Sequence, residues 1–175
     1  MVIDKRKREL NMKINLFLDM DGTIAKFNSK KNALERFDKE KGFFSSLKPF
    51  KYIEIINQQI KENNNINVFI ISASPNEEAD KDKQQWLSHY LPNLSTKNIC
   101  FCRLGENKAI AIKQQLNITI DEHCYLLDDY TNNLIEWQKS NGIGIKRITS
   151  LANNKSKRWQ GLTVRDLRQL FNFFD

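Results

Sequence analysis

Two aspartates one residue apart close the apolar run of LFLDMDGT, residues 16 to 23, and no other stretch of the chain is better suited to chemistry. Strand side chains alternate, so Asp19 and Asp21 can face the same way while Met20 turns aside. Gly22 then lets the chain turn sharply. Two carboxylates held this close repel one another, and a cation between them removes the conflict. Oxygen ligands of this kind suit Mg²⁺. With that ion shared with a phosphate, Asp19 could attack phosphorus and form an aspartyl-phosphate. Asp21 could protonate the leaving oxygen and then activate water, a role contributing about 10² to 10⁴ in rate. The plain alternative is a turn aspartate followed by a cap.

Further polar groups have matching placements. Asp128 and Asp129 end the apolar run YLLDD before a helical pattern. In isolation such a pair is often only a cap, but beside Asp19 and Asp21 it would complete an oxygen cage. Ser72 and Ser74 end VFIISAS ahead of a helix start, where a hydroxyl and free backbone N–H groups make an anion site. Ser72, with Ala73 beside it, is the candidate phosphate ligand, and Ser74 the candidate cap. Lys108 opens the helical stretch GENKAIAI, where the helix dipole disfavours a cation unless an anion lies nearby.

Five short apolar runs must position these groups: Ile14 to Leu18, Val68 to Ile71, Ile99 to Cys102, Cys124 to Leu127 and Ile143 to Ile145. Continuous apolarity suits strands covered on both faces. The expected fold is therefore α/β, a Rossmann-like parallel sheet with helices on both faces, forming one domain over residues 1–175. Ser74 and Glu77 suggest a capping box with Pro75 at the first helical position, and Trp86, Leu87, Tyr90 and Leu91 supply that helix's buried stripe. A second helix runs from a Thr131 cap to a Gly142 stop, and TVRDLRQLFNFF places Leu167, Leu170, Phe171 and Phe174 on one helical face. Between the first two strands, residues 24–66 exceed a simple crossover and carry two helical patterns, with Ile53, Ile56 and Ile60 sharing a face. They are expected to form a small helical cap, with Asn63 to Asn65 as its return loop.

Composition sets outer limits. The 175 residues are 40% hydrophobic and 28% charged, as in a soluble globular chain. No segment approaches the roughly 18 to 20 apolar residues of a membrane span. The basic start, MVIDKRKREL, leads into no signal-peptide pattern, so a cytoplasmic protein is expected. Cys100, Cys102 and Cys124 sit in apolar runs and are odd in number, which argues against a disulfide framework. His89 and His123 lack zinc-ligand spacing to them, leaving oxygen as the expected metal ligand. The net charge of +7 suits a protein that meets phosphate, but it also serves solubility. Much of the excess lies in Lys5, Arg6, Lys7 and Arg8 and in Lys155, Lys157 and Arg158.

In order and spacing, DMDGT, the strand-end serine, the helix-start Lys108 and the late acidic pair resemble the haloacid-dehalogenase (HAD) type phosphatases. More narrowly, GFFSSLKP, SASP, GENKA and LLDDYTNNLIEW look like the cytosolic 5′(3′)-deoxyribonucleotidase family, over Met12 to about Gly161. The resemblance implies a central Asp19 strand and Mg²⁺ bound by Asp19, the backbone carbonyl of Asp21, and Asp129. Asp128 would support that set, and Asn133 would orient it where many relatives carry aspartate. Ser72, Ala73 and Lys108 would hold the phosphate, although relatives commonly have threonine at the strand end. Phe27, Phe43 and Phe44, in the cap, would meet a nucleobase. The implied substrate is a small phosphomonoester, a nucleoside monophosphate. Sugar phosphates and polynucleotide ends are alternatives, as is a nucleic-acid-binding module on a retired phosphatase scaffold.

Overall fold

The computed structural model describes residues 13–28, 33–62, 65–151 and 159–174. Met12, the basic residues Lys5 to Arg8, Lys155, Lys157 and Arg158, and two residues of the expected return loop, Asn63 and Asn64, lie outside them. The elements in chain order are β1 (Ile14–Leu18), α1 (Ala33–Arg36), α2 (Ile53–Glu62), β2 (Ile66–Ser74), α3 (Glu77–Tyr90), β3 (Ile99–Arg103), α4 (Lys108–Leu116), β4 (Cys124–Asp128), α5 (Thr131–Lys139), β5 (Ile143–Arg147) and β6 (Leu162–Val164). Short 3-10 turns follow at Leu167–Gln169 and Phe171–Phe173.

The six strands form one sheet in the order β3-β2-β1-β4-β5-β6, and every pairing is parallel. Continuous apolarity now has its reason, because alternate residues of each strand feed opposite cores. Leu16, Leu18, Val68, Ile70 and Leu127 pack with Ile56, Trp86 and Leu87 on one face. Phe17, Phe69, Ile71 and Leu126 pack with Ile112, Leu134 and Trp137 on the other. The chain winds outward from β1 to β3 and then returns to β4 on β1's other side. That reversal places a topological switch point between β1 and β4, where open α/β sheets gather ligands beyond the strand carboxyl ends.

The stretch before β2 has two parts. Ile53 and Ile56 of α2 belong to the first core, whereas Phe43 and Phe44 form a separate small cluster with Ala33 and Ala79, flanked by Phe27, Phe37 and Leu47. Trp86 joins the parts: its ring is buried in the first core and its Nε1 donates to the Leu47 carbonyl at 2.7 Å.

Several local expectations are corrected. The side chain that caps α3 is Asn76, whose Oδ1 accepts from the Ala79 N–H at 2.9 Å, while Ser74 remains strand. β2 outruns its apolar core by three residues, which moves the helix start past Pro75. Tyr130 precedes α5 with no side-chain cap, and the Thr131 hydroxyl instead accepts from Lys146 Nζ at 2.9 Å. The last segment is no α-helix: residues 162 to 164 add a sixth strand, and Asp166 with Gln169 caps a 3-10 turn. Leu167, Leu170 and Phe171 are still buried, so the apolar spacing found the inward side of those turns. The three cysteines are free and buried.

Candidate active site

Sheet register brings the acids together. Leu18 pairs with Leu127, and the Asp19 N–H continues the ladder by donating to the Leu127 carbonyl at 2.9 Å. Asp19 therefore stands beside Asp128 at the strand tips. Asp19, Asp128 and Asp129 each offer a carboxylate oxygen within 4.8 Å of the others. The Asp21 carboxylate is outside this trio.

A buried ammonium lies against the cluster. Lys108 Nζ donates to Asp19 Oδ1 at 2.6 Å and to Asp128 Oδ2 at 2.7 Å. Its side chain is 3% exposed. The helix position follows from Asn107, whose side chain accepts from the Ala109 and Ile110 N–H groups, so that Lys108 starts α4 directly over the tips. The two carboxylates raise the Lys108 pKa against the opposing effect of burial. Asp128 is fully engaged, since Oδ1 also accepts from the Tyr130 N–H at 2.7 Å and Oδ2 from Asn133 Nδ2 at 2.8 Å. Asn133 thus orients Asp128.

Too many acids share this space for all to ionise comfortably. Burial first, then Asp128 and Asp21, push the Asp19 pKa from 3.8 up to about 7, against the lowering effect of Lys108. Burial and the neighbouring acids Asp128 and Asp19 likewise hold Asp129 well above its ordinary value. An oxygen-binding divalent cation would satisfy this surplus, and the donor set fits one. Gly22 leaves the room: at φ +78° its added Cβ would lie 2.8 Å from the Asp129 carboxyl carbon. Gly22→Ala should displace Asp129 and lower kcat by about 10²-fold, the scale of a 1 Å misplacement, measurable in steady-state assays at saturating Mg²⁺.

A second lysine, which the sequence reading missed, organises the other carboxylate. Lys83 is 0% exposed, and its Nζ donates to Asp21 Oδ2, to Ser72 Oγ at 2.9 Å and to the Ala73 carbonyl at 2.6 Å. The Phe44 ring lies 4.4 Å from the same ammonium. Ser72 therefore belongs to the site, whereas Ser74 turns to the Asn76 carbonyl. Asp21 Oδ1 is buried with no hydrogen-bond partner among the described residues. In DKDKQQW a lysine looks like part of a solvated charge run. Its signal was helical spacing, because Lys83 shares a face with Ala79, Trp86 and Leu87.

Two more residues were missed. Thr23 donates its hydroxyl to Asp19 Oδ2 at 3.2 Å and accepts from the Asp129 N–H at 3.1 Å, bridging the first and last acids. Lys146, at the β5 end, donates to the Asp129 carbonyl and the Thr131 hydroxyl. Of the three candidate base contacts, Phe43 and Phe44 are 5% and 2% exposed in the small cluster, and Phe27 is half-buried beside Phe37 and Phe43.

The family described as 5′ nucleotidase, deoxy (Pyrimidine), cytosolic type C protein matches residues 23–158, more than three quarters of the chain. No curated protein sequence matches. Among solved structures, a D,D-heptose 1,7-bisphosphate phosphatase from B. bronchiseptica, complexed with magnesium and phosphate, superposes with a TM-score of 0.65 at 11% identity, over 93% of this chain and 99% of that one. A HAD-superfamily hydrolase from Ehrlichia chaffeensis gives 0.62 at 13% identity, over 93% and 97%. A haloacid dehalogenase-like protein from Streptococcus pneumoniae gives 0.65 at 8% identity, over 93% and 99%. At such identities these likenesses speak for the HAD fold, and the family match speaks for the activity class. The chain belongs to the cytosolic type C 5′-nucleotidase family of HAD-type phosphatases and is a phosphoric monoester hydrolase.

Proposed function

We propose that the protein dephosphorylates nucleoside monophosphates, deoxyribonucleotides foremost, with Asp19 as nucleophile and Asp21 as general acid and base. The observation that carries this reading is the meeting of Asp19, Asp128 and Asp129 around the Lys108 ammonium at the sheet's switch point. Mg²⁺ would be held by Asp19, Asp129 and the Asp21 backbone carbonyl, and when bound it neutralises charge on the acids and on the phosphate. Asp128 and Asn133 position that set.

The remaining steps belong to the chain's own side chains. Asp19 attacks phosphorus, the ester bond breaks, and an aspartyl-phosphate forms. Asp21, its carboxylate held by Lys83, carries a proton to the leaving group. The same carboxylate then takes a proton from the water that releases phosphate. Ser72, Ala73 and Lys108 receive the phosphate oxygens. Phe27, the most open of the three phenylalanines, is the aromatic left to meet a base, with Phe43 and Phe44 packed behind it. We take residues 24–66 as the insertion after the first strand, within a single domain, with its Phe43 and Phe44 cluster as the part that frames this entrance. A cytoplasmic setting accords with the family's cytosolic description and with three buried free thiols.

A substrate panel tests the proposal. With Mg²⁺, deoxyribonucleoside monophosphates should exceed sugar phosphates in kcat/KM by tenfold or more, and chelation should abolish turnover. A preference for sugar phosphates would overturn the nucleotide assignment and keep the chemistry.

Metal binding should also depend on pH. Mg²⁺ needs ionised ligands, so protons compete for Asp19 below about pH 7. Calorimetric affinity should fall about tenfold per pH unit below that point for each proton released. The stability sign is the reverse of an ordinary paired aspartate. With its folded pKa raised from 3.8 to about 7, Asp19 favours the metal-free fold fully below pH 4, and that contribution is lost as pH rises through 7. Thermal shift by Mg²⁺ should therefore be larger at pH 8 than at pH 5.5.

A further inference from the structure

A second pocket, basic where the first is acidic, opens past the carboxyl ends of β5 and β6. It is a cavity of about 340 Å³ lined by Lys26, Lys51, Arg147 and Arg165, with Phe50 and Tyr52 as its apolar wall. Asp166 is the carboxylate that lines it, and both Asp166 oxygens accept from Arg168. The pocket lining thus carries four cations against one carboxylate.

Arg147 is the telling residue. It is 3% exposed, yet it has no carboxylate within ion-pair distance among the described residues. Its Nε donates to the Thr23 carbonyl at 3.2 Å and its Nη1 to the Val164 carbonyl at 3.4 Å, while Nη2 has no hydrogen-bond partner among the described residues. A guanidinium does not shed its proton, and a buried cation with no carboxylate in direct contact is costly, since Asp166 and Asp129 act on it only from a distance. The Phe50 ring lies 5.0 Å from it. Tyr52 sits in the left-handed region at φ +69°, its ring stacked on Arg168. A planar guanidinium with an open edge, ringed by three more cations, matches the oxygens of a phosphate group.

The pocket also touches the acidic centre. Thr23 gives its carbonyl to Arg147 and its hydroxyl to Asp19 Oδ2, so one residue separates the two sites. We propose that this pocket is a second phosphate-binding site, distinct from the one at Asp19. Its phosphate comes from the second phosphate group of a substrate or from free inorganic phosphate. This goes beyond the proposed nucleotidase chemistry and does not need it.

The test uses the full chain with Mg²⁺ and two double variants. Lys51→Glu with Arg165→Glu reverses two of the pocket's three exposed cations, and Lys97→Glu with Lys139→Glu makes the same charge change elsewhere. Calorimetric titration with inorganic phosphate should show two sites in the wild type and in the distant variant, and one in the pocket variant. Turnover of p-nitrophenyl phosphate should stay within twofold in all three, which reports that the fold and the acidic centre are intact. If the ligand is a substrate's second phosphate, kcat/KM for a nucleoside 3′,5′-bisphosphate should drop about tenfold in the pocket variant alone. If it is free phosphate, that value should hold while the second binding event is still lost. A single phosphate site in the wild type, or two sites surviving in the pocket variant, would overturn the proposal, whatever substrate the enzyme prefers.

Discussion

Asp19→Asn should lower kcat by about 10⁴-fold or more, because an amide can still fill the space but cannot take up a phosphoryl group. The fold should survive. Asp19 is held partly neutral by burial, with a pKa of about 7, so a neutral isostere adds no new buried charge. Lys108 also keeps Asp128 as a partner at 2.7 Å. Unfolding free energies from denaturant melts within about 1 kcal/mol of wild type, beside kinetics on the preferred nucleotide, would separate loss of chemistry from loss of structure. Residual turnover near the wild-type level would remove Asp19 as the nucleophile.

Lys108→Met carries the second large effect, and it acts on stability as well as rate. The substitution keeps the length of the side chain but strips the ammonium from two buried carboxylates. Breaking a buried pair in this way typically costs about 3–5 kcal/mol, since the remaining charge is left uncompensated. Without metal, the variant's unfolding free energy should fall by that order at pH 8. Saturating Mg²⁺ should restore part of it, because the ion supplies positive charge to the same acids. At pH 5.5 the defect should shrink, because Asp19 is then largely protonated in the metal-free protein and gives up its charge. Turnover should remain low under all conditions, as the phosphate has lost a ligand. A loss of stability relative to wild type that is equal at both pH values would contradict this electrostatic account.

The sequence was most legible where geometry follows from periodicity. Alternation along β1 brought Asp19 to the strand tip, and the apolar run before Asp128 brought the second pair to the neighbouring strand. Strand adjacency was not written in the periodicity: the family resemblance implied a central β1, and the fold shows it between β2 and β4. Lys83 was hidden for a physical reason. A buried lysine looks like a solvated one until its partners, Asp21, Ser72 and the Ala73 carbonyl, are brought 10 to 62 residues along the chain to meet it. The sixth strand was hidden because LTV is too short to declare itself without β5 beside it. Ser74 was misread as a cap because strand pairing with β3 keeps it extended, leaving the cap to Asn76.

The central claim is that Asp19 becomes phosphorylated during turnover, and chemical trapping reads this directly. The enzyme is mixed with Mg²⁺ and its best nucleotide, quenched in acid within the first turnover, reduced with borohydride and digested for mass spectrometry. An aspartyl-phosphate is reduced to homoserine, so the account predicts homoserine at position 19, dependent on both Mg²⁺ and substrate. Unmodified Asp19 throughout burst-phase turnover, or reduction at Asp128 or Asp129 in its place, would contradict it.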